Sequence, residues 1–177
     1  MSDERLQYPI GKFAPQETYT VEEIASLINS IEKIPAKIEE VQKRLSPAQL
    51  ETAYRTGGWT ARQVIHHLSD SHMNAYIRIK WALTENTPTI KAYNEKAWAE
   101  TTETKSDPAL SVALLKALHA KWVILLRSLS KEDLQKSFVH PDSGKQIRLD
   151  RSIALYAWHG EHHLGHLKIV LENNLKP

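Results

Sequence analysis

Four histidines fall between positions 159 and 166 of this chain: His159, His162, His163 and His166. On a wheel of about 100° per residue with Ile153 at zero, Glu161, Lys168 and Glu172 lie between about 60° and about 100°, which marks the solvent face. The buried direction is then near about 260°, where Val170 lies, and His159 and His163 straddle it at about 240° and about 280°. One buried imidazole is an ordinary neutral core residue. Two inward imidazoles at i and i+4 start about 5–6 Å apart, and each gives up solvation that a leucine would not. A divalent cation offsets that cost, and H-x-x-x-H on one helical face is a two-ligand geometry known from zinc helices. The metalloprotease signature is excluded, because Gly160 rather than Glu follows His159 and Glu161 faces solvent. His166 and His162 lie further toward the flank.

A cation needs a third ligand, and the acidic residues of this helix face away from His159 and His163. A second long helical stretch offers His66, His67 and His72. Its apolar centre, set by Val64, Leu68, Ala75 and Ile79, places His72 nearest the core and His67 at the edge, in line with Ser71, Asn74 and Arg78. His66 is expected to point to solvent. Periodicity favours His72 as the buried residue and leaves His67 open, since a bundle helix meets two neighbours.

Longer blocks of sequence bear on the choice. Trp59-Thr60 followed by His67-Leu68 and Asp70-Ser71, and downstream His159-x3-His163 with Gly165, resemble the DinB/YfiT family of metalloenzymes. The resemblance to the YfiT branch continues through Tyr8-Pro9-Ile10-Gly11-Lys12-Phe13, Pro88-Thr89-Ile90-Lys91, His140-Pro141-Asp142-Ser143-Gly144 and Ala157-Trp158-His159-Gly160. The broader family ends in H-H-x-G-Q, and here His166 stands in the place of the Gln. The resemblance implies a four-helix bundle, a homodimer, a divalent metal on three histidines, and an activity labelled metal-dependent hydrolysis. Carried onto this chain, the implied ligands are His67, His159 and His163.

Three neutral nitrogens suit one zinc or nickel ion per chain and leave a coordination position open. Water bound there, with its pKa lowered toward ~7, gives hydroxide for a metal-dependent hydrolase acting on a small-molecule ester or amide. The same position can activate a low-molecular-weight thiol, as in a bacillithiol-like S-transferase. The chain has no cysteine, so any thiol must be a substrate. A third reading is a non-catalytic, metal-stabilised binding module, its ion saturated by His72 or His166 as fourth ligand. Asp70, Asn74 and Arg78 continue the His67 stripe and are read either as contacts to ligand or substrate or as a solvated face. His119 is read as a surface or edge residue. Asp142-Ser143-Gly144 is turn chemistry, and no phosphate loop or dinucleotide fingerprint is present.

The positioning elements follow from pattern. Residues 1–18 form an arm in which Pro9, Gly11 and Pro15 forbid a long helix. Thr20 with Glu23 is a capping box that opens a helix carrying Ile24, Leu27, Ile28 and Ile31. Pro35 is expected to kink or break it before it resumes through Ile38, Val41 and Leu45. A short turn starts at Ser46-Pro47, and Gly57-Gly58 ends it. Thr60 caps a helix over about 60–84, a short helix falls near 91–100, and a third long helix runs from Pro108 to about Leu129. Trp122 and the leucines of that third helix are read as core. A small hairpin flanks Pro141–Gly144 and precedes the last helix, about 152–173.

The fold expected is all-α, one helical-bundle domain over residues 1–177 with short extra helices and the hairpin. The 177 residues carry 23 basic and 21 acidic side chains, a net charge of +2. Such a balance predicts no nucleic-acid footprint and no acidic-membrane surface. The absence of cysteine excludes disulfides, thiolate-ligated metal and a thiol nucleophile. With a charged N-terminus and no run read as a membrane span, the expected location is cytoplasmic.

Overall fold

A computed structural model describes residues 3–173. In chain order these form α1 (Asp3–Gln7), α2 (Val21–Arg44), α3 (Pro47–Leu50), α4 (Ala61–Thr84), α5 (Glu95–Trp98), α6 (Ala109–Arg127), α7 (Lys131–Gln135), the strands β1 (Ser137–Val139) and β2 (Gln146–Arg148), and α8 (Leu149–Asn173), with a 3₁₀ turn at Thr102–Lys105. The four long helices make a four-helix bundle. α2 packs on α6 and α8, and α4 packs on the same two. Thus α2 and α4, consecutive among the long helices, lie on one diagonal and α6 and α8 on the other.

The ends of these helices are set locally. Thr20 and Glu23 form the expected capping box, with Glu23 N donating to Thr20 Oγ1 at 3.2 Å and Thr20 N to Glu23 Oε2 at 2.8 Å. Thr60 and Gln63 make the same exchange at 3.2 and 3.0 Å, which fixes the start of α4 two turns before His67. β1 and β2 pair antiparallel, Phe138 opposite Ile147, and α8 starts directly from β2 at Leu149, three residues earlier than the sequence suggests.

Pro35 neither breaks nor interrupts α2, which runs unbroken for 24 residues. A proline inside a helix lacks the N–H that would bond the carbonyl four residues back, here that of Ile31. That carbonyl is not orphaned, because His119 Nδ1 donates to it across the bundle at 2.7 Å. The cost of Pro35 is thereby offset from a neighbouring helix.

α6 departs from expectation in two ways. Its buried stripe is Val112, Leu115, His119, Trp122, Val123 and Leu126, while Leu110 and Leu114 are 64% and 46% exposed. The leucines are frequent on all sides of this helix, so their count misplaces the seam that α2 and α4 select. α6 is also long and apolar enough to cross a membrane, with a mean hydropathy of 1.7, where the sequence reading saw no such run. In the bundle it forms a wall against α2 and α4.

The apolar core is divided. One cluster holds Ile24, Ile28 and Ile31 of α2, Ala75 and Ile79 of α4, Trp122 and Leu126 of α6, and Ile153 and Tyr156 of α8. The other holds Ile34 and Ile38, Val64 and Leu68, Val112 and Leu115, and Leu164 and Leu167. α2 and α8 therefore run in one direction and α4 and α6 in the other. The chain positions between the clusters are His119, His72 with the residues after Leu68, and the α8 segment from His159 to His163. A histidine layer separates two apolar layers.

Candidate metal centre

The histidine layer is built from three long helices. α4 supplies His67 and His72, α6 supplies His119, and α8 supplies His159, His162, His163 and His166. One nitrogen from each of His67, His159 and His163 lies within 4.8 Å of the others. His67 Nε2 and His159 Nε2 approach to 3.3 Å, and the ring centroids of His159 and His163 are 4.5 Å apart. The structure thus gathers the three residues that the family resemblance implied. His67 and His163 are buried and His159 is half-buried.

Two close approaches to α8 frame the layer. A Cβ on Gly160 would sit 2.7 Å from Cγ1 of Ile34, and one on Gly165 would sit 2.7 Å from Cγ of Pro9. Gly160 lets α8 press onto α2 beside His159. Gly165 lets the N-terminal arm press onto α8 beside His166. The loop before α4 closes the other side: Tyr54 stacks on His166 at 3.8 Å and Trp59 lies 4.5 Å from the His67 ring.

Burial sets the protonation of these rings. It holds His67 down at about 4, with the neighbouring His162 adding to the effect. His119, His162 and His166 also fall to about 4, burial being the first cause in each. His72, His159 and His163 are likewise held well below the ordinary histidine value, by burial first and then by their histidine neighbours. All seven are neutral near pH 7, and a neutral imidazole is the form that ligates a metal. Neutral rings on His67, His159 and His163 with nitrogens this close fit a divalent cation: no carboxylate is needed to bring them together, and three nitrogens are the usual protein share of an open zinc site.

The remaining histidines correct the wheel. His72 is fully buried but stands outside the three-nitrogen cluster; its Nδ1 faces His119 Nε2 at 2.8 Å and its Nε2 faces His159 Nδ1 at 3.1 Å. His119 is 2% exposed, not a surface residue, because the carbonyl freed by Pro35 and the His72 ring give it two partners. His66 is buried rather than solvent-facing, with Nδ1 2.7 Å from Ser111 Oγ on α6. Helical periodicity could not reveal these positions, since each partner lies on another helix. His162, His163 and His166 form a second close triplet that shares His163. There His166 Nδ1 and His163 Nδ1 are 3.3 Å apart and His166 Nε2 lies 3.2 Å from the Gln7 carbonyl, so hydrogen bonds occupy His166, while His162 Nδ1 is buried without a partner.

Along the His67 stripe, Asp70 is half-buried and its carboxyl is pushed up to about 6, chiefly by burial. Asn74 donates to the Asp70 carbonyl at 2.9 Å, and Arg78 reaches the Tyr156 hydroxyl at 3.5 Å. The stripe is thus partly buried rather than a fully solvated face.

The sequence profile of the DinB superfamily matches residues 30–167. The chain belongs to the DinB superfamily. Within it, the chain is 46% identical over 168 residues to the Bacillus subtilis protein named "Putative metal-dependent hydrolase YfiT", covering 94% of each. It is 51% identical over 162 residues to a Bacillus cereus protein carrying the same description, covering 92% of this chain and 93% of that one. The solved YfiT structure, described as a four-helix bundle of unusual topology, superposes with a TM-score of 0.94 over 96% of this chain and 98% of that one. A mycothiol-dependent maleylpyruvate isomerase is similar in fold at a TM-score of 0.64 and 13% identity, over 81% of this chain and 60% of that one.

Proposed function

We propose that the protein is a metal-dependent hydrolase in which His67, His159 and His163 hold one divalent ion, zinc or nickel. The observation that carries the reading is the meeting of three neutral imidazoles from α4 and α8 within 4.8 Å. The names of the YfiT-like relatives support the reaction class. A divalent cation on three nitrogens supplies Lewis acidity and leaves a position for water or substrate.

The chain's own residues have separable tasks in this reading. His67, His159 and His163 each present a nitrogen lone pair. Trp59 shields the His67 ring on one side. A small molecule is the substrate and a homodimer the assembly we infer.

The test is a screen of esters and amides with metal-loaded protein, using metal-free protein and the His163→Ala variant as blanks. Turnover that requires the metal and water alone supports the proposal. Product formed only when a low-molecular-weight thiol is added would replace it with the S-transferase reading. No product in any arm would favour a metal-stabilised binding module.

A further inference from the structure

Three of the six histidines that ligate nothing in this reading are organised with respect to those that do. The Ile31 carbonyl can only accept, so the ring nitrogen facing it, His119 Nδ1 at 2.7 Å, carries the proton. A neutral ring has one N–H, so His119 Nε2 accepts, and its partner His72 Nδ1 at 2.8 Å must donate. His72 Nε2 then accepts in turn, and His159 Nδ1 at 3.1 Å donates to it. That leaves His159 with its lone pair on Nε2, the nitrogen 3.3 Å from His67 Nε2. The same argument runs from the arm. The Gln7 carbonyl can only accept, so His166 Nε2, 3.2 Å away, carries the proton and donates it in a hydrogen bond. His166 Nδ1 therefore accepts from His163 Nδ1 at 3.3 Å, and His163 is left with its lone pair on Nε2.

We propose that His119, His72 and His166 are positioning residues: two hydrogen-bonded histidine chains, each anchored on a backbone carbonyl, fix His159 and His163 as the tautomers whose Nε2 faces the metal. The first anchor exists because Pro35 withholds the N–H that would occupy the Ile31 carbonyl. The second exists because Gly165 admits the arm. Proline in α2 and the arm's packing thus become determinants of metal affinity without touching the metal. Partners of this kind orient a ligating imidazole and raise its basicity, and losing one commonly costs about 10–100-fold in affinity.

The inference rests on the metal-site reading but is tested apart from it. Long-range nitrogen–proton NMR correlation on metal-free protein at one neutral pH reports each tautomer. The expected result is a proton on Nδ1 of His72, His119, His159 and His163 and on Nε2 of His166. A proton on Nε2 of His159 or His163 would overturn the proposal, whether or not the protein binds metal; the expected tautomers in a chain that binds no metal would instead overturn the site reading. A second arm titrates zinc chloride into His119→Leu and His119→Gln. Leucine ends the chain, whereas the glutamine amide both donates and accepts. The expected outcome is a zinc affinity about 10–100-fold weaker in His119→Leu, with most of it recovered in His119→Gln and a mixed tautomer at His159 in the leucine variant alone. Wild-type affinity in His119→Leu, or equal losses in both variants, would contradict the proposal. Should His119→Leu fail to fold, the wild-type tautomers decide.

Discussion

A buried imidazole is stable when both of its nitrogens have something to do, and that rule sorts the histidines here. His66 answers to Ser111, His119 to Ile31 and His72, and His166 to His163 and Gln7. His67, His159 and His163 each bring a nitrogen within 4.8 Å of the other two, and His162 departs from the rule with a buried Nδ1 that has no partner. Replacing any of these three with Ala should sharply lower the metal bound per chain by elemental analysis, while His140→Ala, in the hairpin, should leave it unchanged. Asp70 provides a second residue-scale prediction. Its folded pKa of about 6 lies above the usual carboxylate value of 3.8, so the folded state binds the proton more tightly than the unfolded one. Its contribution to stability is present below about 3.8 and lost as pH rises through about 6. Asp70→Asn should therefore raise the melting temperature at pH 7 and do little at pH 3.5. Spacing alone exposed His159 and His163, because both lie on one face of one helix. It could not choose between His67 and His72, since both are buried and they face different neighbours. It misread His66 and His119 because Ser111 and the freed Ile31 carbonyl are 45 and 88 positions away in the chain.

At the scale of elements, boundaries were legible wherever a local signal sets them. Thr20–Glu23 and Thr60–Gln63 both cap as their types dictate, and the hairpin forms around the turn residues at 141–144. Thr60→Ala removes one cap acceptor and should cost about 1 kcal/mol in denaturant unfolding. Signals that depend on a neighbouring element were not legible: the fate of Pro35 is decided by α6, and the buried stripe of α6 by α2 and α4. Gly160 is the sharpest example. A Cβ there would lie 2.7 Å from Ile34, a fully buried side chain on α2. Gly160→Ala should cost about 1–3 kcal/mol through overpacking, and because His159 is adjacent it should also weaken metal binding. Gly165→Ala meets Pro9 of the arm instead, and should release the arm, readable as faster proteolysis near residue 9, with a smaller loss of global stability.

The whole molecule carries a neutral histidine layer between two apolar clusters. His67, His119, His162 and His166 are held at about 4 against an ordinary 6.5. Between those values the unfolded chain binds more protons than the folded one, so stability falls as pH drops through that window. Asp70 and Glu95 act in the opposite sense, but they are two groups against eight lowered histidines. Metal-free protein should thus melt at steadily lower temperature from pH 6.5 toward pH 4, and a melting temperature that rose over that range would contradict the assignment of buried neutral rings. Both clusters are complete without an ion, so the metal-free chain should stay helical at 25 °C, with bound metal raising its melting temperature by mass action. The most direct test of the central claim is a calorimetric titration of zinc into metal-free wild-type protein and into the His67→Ala, His159→Ala and His163→Ala variants, each shown to be folded. The predicted result is one tightly bound ion per chain in the wild type and none in the variants; tight one-to-one binding surviving in all three would contradict it.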